Sequence, residues 1–160
     1  MRTLLLALLA ATASVPAAAQ SAEPVADPAA SVREAVTALF DAMRAADSAG
    51  VRATFHPEGR LLTVVNEEGA YRVAETDLGR FLTAVASAPV TLDERVGEVE
   101  VRVDDGLATA WMPYRFYAGD RFSHCGVNAM QLALDRPAGD GVPPRWRIVQ
   151  VVDTRRATCE

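Results

Sequence analysis

Lysine is absent from this chain of 160 residues, and cysteine and histidine each occur only twice. Arginine therefore carries every positive side-chain charge, and the formal net charge is −5. Because nucleic acids and anionic membranes select basic surfaces, this charge disfavours both as partners. Zinc usually takes three or four protein ligands, and His56 and His124 have no cluster of carboxylates beside them. The sequence therefore predicts no metal site and no cofactor.

The chain also lacks an apolar run long enough to cross a membrane, which takes roughly 20 residues. Its longest run, Leu4 to Ala13, follows a single arginine and precedes the small residues Ala17-Ala18-Ala19. This order is typical of a signal peptide that is removed during export. We predict a signal peptide over residues 1–19, a flexible leader over 20–30 and a single domain over 31–160, in a periplasmic or secreted protein.

Hydrophobic spacing predicts three helices in the first part of the domain. Ser31 and Glu34 have the spacing of a capping box, and apolar residues then recur at helical intervals. A short second helix is predicted over Val51 to Phe55, and Thr76 or Asp77 can cap a third.

Strands make up most of the rest. Val99 to Val103 alternates apolar and charged residues, as a half-exposed strand does, and Asp104-Asp105-Gly106 is a turn signal. The predicted strands are Leu61 to Val65, Tyr71 to Val73, the stretch from Leu92 through Val103, Leu107 to Tyr117, Phe122 to Leu134 and Trp146 to Asp153. Helices gathered on one side of a curved antiparallel sheet make an α+β domain.

Several short motifs resemble one fold family, the NTF2-like (nuclear transport factor 2, SnoaL-like) superfamily. The helical start followed by Phe55-His-Pro-Glu-Gly-Arg-Leu61 resembles the beginning of that fold. Trp111-Met-Pro-Tyr114, His124-Cys-Gly-Val-Asn128 and the segment from Trp146 to Arg155 resemble its bacterial lumazine-binding subgroup. The resemblance covers nearly all of the predicted domain and implies a cone of bent sheet closed by helices, commonly hollow. The function is less specified, because one fold hosts many activities.

Strand pairing predicts which side chains meet inside such a cone. If Leu134 faces Trp146, then Met130 faces Gln150 and Asn128 faces Val152. A largely apolar face with few polar groups is how small-molecule pockets are built. The predicted pocket residues are Trp111, Tyr114, His124, Asn128, Met130 and Gln150. The alternative is an ordinary core in which Asn128 and Gln150 hydrogen-bond each other, and alternation along the strand prevents Trp111 and Tyr114 from both facing inward.

His124 is the candidate catalytic residue, because a histidine on the inner face can titrate near neutral pH. A hydrogen-bonded core histidine is the competing interpretation. The resemblance to ketosteroid isomerase and polyketide cyclases implies an Asp or His at the pocket with a Tyr or amide donor opposite. The residues of those types are Asp41, Tyr71, Tyr114, His124 and Asn128, although no catalytic aspartate matches a family motif.

The two cysteines are predicted to pair. Cys125 lies opposite Arg155 in the predicted register, a few residues before Cys159, and export permits a disulfide. The alternative is a nucleophilic Cys125 with His124 as its base, but neighbouring strand residues point to opposite faces.

These features favour an exported domain that binds a small, partly apolar molecule in the cone. The alternative function is an acid–base enzyme of the isomerase, cyclase or hydrolase kind that uses His124. A homodimer is also expected, through Val99, Val101 and Val103 or the odd-numbered face of the last strands.

Overall fold

The computed structural model describes residues 27–136 and 143–159, so the predicted signal peptide and most of the predicted leader lie outside the described residues. The helices are α1 (Pro28–Arg44), α2 (Ser48–Thr54) and α3 (Leu78–Ala86). The strands are β1 (Phe55–Glu67), β2 (Ala70–Thr76), β3 (Leu92–Val96), β4 (Glu100–Asp104), β5 (Leu107–Ala118), β6 (Arg121–Asp135) and β7 (Arg145–Thr154). The prediction of an α+β domain, with helices against a curved sheet, is confirmed.

Helix α1 begins earlier than the sequence predicts, inside the predicted leader. Its cap is Asp27, whose carboxylate accepts from the N–H of Ala29, and Pro28 occupies the first turn, where its missing N–H costs nothing. The prediction of a capping box at Ser31 is therefore wrong. The Ser31 hydroxyl instead donates to the carbonyl of Pro28 and accepts from Nε1 of Trp146 at 3.0 Å, which ties α1 to β7.

The strands form a single seven-stranded sheet in the order β2-β1-β7-β6-β5-β3, with β4 beside the other half of β5. The meander from β4 to β7 is antiparallel as predicted, whereas β1 runs parallel to β7. The predicted strand from Leu92 through Val103 is two strands, separated near Gly97. Gly97 donates its N–H to the carbonyl of Pro113 at 2.8 Å, and a Cβ there would lie 2.9 Å from the Pro113 ring. Gly97 lies between β3 and β4, which pair with different halves of β5, and the closeness of Pro113 leaves no room for a side chain there.

The core lies between the apolar face of α1 and the inner face of the sheet. That face of α1 is fully covered, as its helical spacing predicts. Val99, Val101 and Val103 also pack against this core, with Glu100 and Arg102 on the solvent side. The prediction that these three valines form an outer, dimerising surface is therefore wrong, because their side of β4 is the side that α1 covers.

A β-bulge in β7 changes the predicted pairing of the last two strands. Leu134 faces Trp146 and Leu132 faces Ile148, as predicted, but the register then shifts by one residue. Gln131 faces Gln150, Met130 faces Val151 and Asn128 faces Asp153. A one-residue slip exchanges the two faces of a strand. Val151 and Asp153 therefore point inward, in place of Gln150 and Val152.

The chain after β7 turns back along β6. Cys125 and Arg156 exchange two backbone hydrogen bonds, of 3.0 and 2.8 Å, one residue beyond the predicted pairing with Arg155 because of the same bulge. The Sγ atoms of Cys125 and Cys159 lie at disulfide distance, with the Cα atoms 6.2 Å apart. None of the helices in residues 27–136 and 143–159 is long and apolar enough to cross a membrane.

Candidate functional site

A cavity of about 430 Å³ lies between the helices and the inner face of the sheet. Most of its walls are apolar. The helices contribute Leu39, Phe40, Met43, Phe81 and Ala84, and the sheet adds Leu61, Leu62, Leu92, Phe116, Met130 and Val151. Apart from Arg80, which is exposed, the polar lining comes from the strands. The cavity therefore has an apolar ceiling of helices and a partly polar floor of sheet.

Asp153 is the centre of the polar floor and is almost fully buried. The Thr63 hydroxyl donates to its Oδ1, while the Tyr114 hydroxyl at 3.0 Å and Nε of Arg155 at 2.8 Å approach its Oδ2. Three donors, on β1, on β5 and just after β7, thus satisfy one carboxylate, as a buried charge requires.

Tyr114 reaches Asp153 because Gly126 leaves room for its ring. A Cβ on Gly126 would lie 1.7 Å from the carbonyl oxygen of Thr154 and 3.0 Å from Cε1 of Tyr114. The Tyr114 hydroxyl also lies 2.9 Å from that carbonyl. Burial, with the charges of Asp153 and Glu94 nearby, raises the pKa of Tyr114, so the phenol keeps its proton and acts as a donor.

Glu94 is the second acid on the floor, and it is partly buried. Its Oε1 accepts a hydrogen bond of 2.6 Å from Nδ2 of Asn128. Burial raises the pKa of Glu94 to about 7, against the opposing effect of the Asn128 bond. Within residues 27–136 and 143–159, no ion pair includes Glu94.

His124 lines the cavity on β6, two strands from Glu94 on β3. Phe116 of β5 lies between them and pairs with both. Its ring packs against Phe116 at 5.0 Å and edge-on against Tyr114 at 5.7 Å between centroids. Nδ1 lies 2.9 Å from the Ser123 hydroxyl. Burial, and then the charge of Arg155, lower the pKa of His124, so the imidazole is neutral at pH 7.

The structure brings four of the six predicted pocket residues to the cavity: Tyr114, His124, Asn128 and Met130. Trp111 and Gln150 lie outside it and line a separate pocket of about 400 Å³ on the outer face of the sheet. Trp111 points away because it is an odd number of residues from Tyr114 along β5, and its side chain is 53% exposed. Gln150 is turned outward by the bulge in β7, so the hydrogen bond between Asn128 and Gln150 in the alternative interpretation does not form, and Asn128 donates to Glu94 instead.

The predicted pocket leaves out four residues that carry much of the polar floor: Thr63, Glu94, Asp153 and Arg155. Glu94 had a signal, because it stands at period two between Leu92 and Val96 and thus on the apolar face of a strand. The other candidate acid–base residues lie elsewhere. Asp41 is exposed and pairs with Arg44, and Tyr71 is exposed on β2. In the described part of the chain, no three His, Cys, Asp or Glu side chains are grouped to hold a metal.

Comparison of the fold with solved structures gives many matches. An NTF2-like protein from Cytophaga hutchinsonii superposes with a TM-score of 0.62 at 11% identity, over 81% of this chain and 99% of that one. The chain has the NTF2-like fold. An NTF2-like protein of unknown function from Shewanella baltica gives 0.60 at 10% identity, over 81% and 94% of the two chains. A protein of unknown function from Mycobacterium tuberculosis gives 0.60 at 15%, over 79% and 70%.

The NTF2-like neighbours establish the fold and nothing finer, since their identities are this low. No protein-family model matches the chain, and no curated protein matches it either. The narrower resemblance to the lumazine-binding subgroup stays a prediction.

Proposed function

We propose that this NTF2-like domain binds a small, partly apolar molecule in the cavity between its helices and its sheet. One observation carries the proposal: the apolar ceiling faces a floor on which Glu94, Tyr114, His124, Asn128 and Asp153 converge. An apolar enclosure with a few placed polar groups is the usual design of a small-molecule site.

The size of the cavity supports the same proposal. Its volume of about 430 Å³ lies within the range of roughly 300–1,000 Å³ typical of ligand pockets.

Native mass spectrometry of protein purified from an exporting host tests the proposal. We expect extra mass on the folded protein that disappears on unfolding. Ala84→Trp should abolish it, because Ala84 lines the cavity, whereas Ala86→Trp near the end of the same helix should retain it. Equal retention by both variants would place the extra mass elsewhere, and a ligand-free spectrum of the wild-type protein would count against the proposed function.

An export route fits this function. The predicted signal peptide and the disulfide-distance pair of Cys125 and Cys159 support it, because disulfides persist in oxidising compartments. Fractionation of the native host, followed by N-terminal sequencing, should find the protein outside the cytoplasm with Gln20 first. A cytoplasmic protein that begins at Met1 would contradict export.

A second candidate function is acid–base catalysis. It is supported by Glu94, whose pKa of about 7 lets it exchange a proton near neutral pH, and by the neutral His124 in the same cavity. Deuterium incorporation from D₂O into a cyclic ketone such as 2-tetralone tests it. We expect exchange above the buffer rate that is lost in both Glu94→Gln and His124→Gln. Exchange at the buffer rate by the wild-type protein would end this alternative for carbon acids of that size.

We also propose a homodimer, formed through the outer face of the sheet. Its support is the row of Trp111, Ala129 and Val152 on β5, β6 and β7, with Trp111 half exposed. Trp111→Asp should halve the native mass, whereas Tyr71→Asp, at an exposed position on β2, should not. A wild-type monomer would contradict the proposal.

A further inference from the structure

Glu94 differs from Asp153, the other acid that lines the cavity, in having no ion-pair partner among residues 27–136 and 143–159. The carboxylate of Asp153 is paired with Arg155, and three donors satisfy it. Glu94 receives one hydrogen bond from the neutral amide of Asn128. In the described residues, its ionised form therefore lies in a partly buried site without an opposite charge in contact.

The arginines of the cavity do not fill that place. Arg155 pairs with Asp153; its charge lowers the pKa of Glu94, but it makes no ion pair with that carboxylate. Arg80 is exposed and has no ion pair among the described residues. Arg44 of α1 pairs with Asp41 and with Asp93, whose side chain points to the opposite face of β3 from that of Glu94. A buried carboxylate is stable in its charged form only when a cation or several donors compensate it.

We propose that the ligand of this cavity carries a protonated amine that pairs with Glu94. This inference rests on the proposed binding function and names the chemical class of the ligand. An ammonium group supplies both the missing charge and three N–H donors. Its apolar body then lies against Phe81 and Phe40 of the ceiling.

The neighbours of Glu94 suit a cation. Phe116 pairs with Glu94 across β3 and β5, and Tyr114 lies on the same face of β5, so two aromatic rings border the position. Aromatic faces attract ammonium groups. His124, the nearest base on β6, is neutral and does not repel a cation. Asp153 adds a second negative charge on β7, which Arg155 balances.

Amine binding should depend on pH in a defined direction. An ammonium group favours the ionised form of Glu94, whose pKa is raised to about 7 in the ligand-free protein. Affinity should therefore rise from about pH 6 to about pH 8, with release of a proton from Glu94. Tyr114 keeps its proton and Arg155 its charge over that range, because the pKa of each is raised, and the lowered pKa of His124 favours its neutral form. Arg80 and Asp153 are the other charged side chains that line the cavity.

Calorimetric titration with three molecules of one frame tests the inference: tryptamine, tryptophol and indole-3-acetate. We expect tryptamine to bind at least roughly tenfold more tightly than tryptophol, the scale of a charge-assisted hydrogen bond. Glu94→Gln should remove the preference for tryptamine over tryptophol and the pH dependence of that preference. Glu98→Gln, an exposed control outside the cavity, should leave the preference for tryptamine and its pH dependence unchanged.

The outcomes separate this inference from the binding function on which it rests. Equal binding of tryptamine and tryptophol would support the binding function but overturn the proposal that the ligand carries an amine. Preference for indole-3-acetate would also overturn it, and would assign the site to anions held by Arg80, Arg155 and a protonated Glu94. If none of the three binds, the amine proposal is overturned for ligands of this size, and the native mass spectrum then decides the binding function separately. Circular dichroism of Glu94→Gln shows whether a lost preference is merely a lost fold, and Glu94→Asp, which keeps the charge, should retain part of the preference.

Discussion

Asn128 and Glu94 are joined by a hydrogen bond of 2.6 Å that spans β5, from β6 to β3. The bond holds a carboxyl group on the floor of a largely apolar cavity. Beside it, a second acid, Asp153, is fully satisfied by Thr63, Tyr114 and Arg155. In the described structure, the carboxylate of Asp153 thus has three donors, one of them a cation, whereas that of Glu94 has one neutral donor. The proposed ligand chemistry follows from that difference.

Glu94→Gln should alter the pH dependence of stability. The pKa of Glu94 rises from 4.5 to about 7 on folding, so the folded protein binds an extra proton between these values. Glu94 therefore costs stability progressively as pH rises from about 4.5 to about 7, to a plateau of up to ~3 kcal/mol. The variant should gain stability over the wild-type protein at about pH 8 and little at about pH 5. Denaturant unfolding at both pH values measures this, and Glu98→Gln should show no pH-dependent difference.

Gly126→Ala should destabilise the domain by about 2–3 kcal/mol, because the new Cβ would overlap the carbonyl of Thr154 and press on the Tyr114 ring. Gly106→Ala is a matched control, since a Cβ there meets only Leu134 at 3.9 Å. Chemical denaturation of both variants makes the comparison. If the two variants lost equal stability, the close contact of Gly126 with Thr154 and Tyr114 would not limit the side chain at that position.

Tyr114→Phe should lower stability by about 1–3 kcal/mol, because it removes the donor to Asp153 and leaves that buried acceptor with fewer partners. Tyr117→Phe changes the same atom type on the same strand, at a hydroxyl without such a bond in the described structure, and should cost less than about 0.5 kcal/mol. Indistinguishable melting temperatures for the two variants would contradict the assigned role of Tyr114.

Reducing agent should lower the melting temperature, because a bond between Cys125 and Cys159 closes a loop with a sequence separation of 34. The chain-entropy model predicts that reducing this disulfide lowers the free energy of unfolding by roughly 3 to 4 kcal/mol. Cys159→Ser should show the same loss without reductant, and no further change when reductant is added. A wild-type melting temperature that is insensitive to reductant would mean that the two thiols do not bond.

The elements and the fold were predictable because their signals are local. Helical spacing gave the covered face of α1, and turn residues gave the hairpins between β4, β5 and β6. The cap of α1 was missed because Ser31 and Glu34 satisfy a capping pattern one turn too late, while the Pro28 start lies in an Ala/Pro-rich stretch that suggests a leader.

The candidate site was only half predictable, because it depends on one bulge and on packing between distant segments. No residue type marks the bulge in β7, yet it exchanges Gln150 for Val151 and brings Asp153 inward. Which side of β4 is covered depends on where α1 crosses, and alternation alone does not give that side. The inward position of Glu94 was predictable, because an acid that alternates with Leu92 and Val96 lies on the apolar face of the strand and is therefore a buried carboxyl.

A crystal structure of the protein purified from its exporting host tests the central claim most directly. We predict electron density for an organic molecule between the helices and the sheet, with its apolar part against Phe81 and a nitrogen within hydrogen-bonding distance of Glu94. A cavity closed by repacked side chains, or one that holds only ordered water in protein from the native host, would contradict the account.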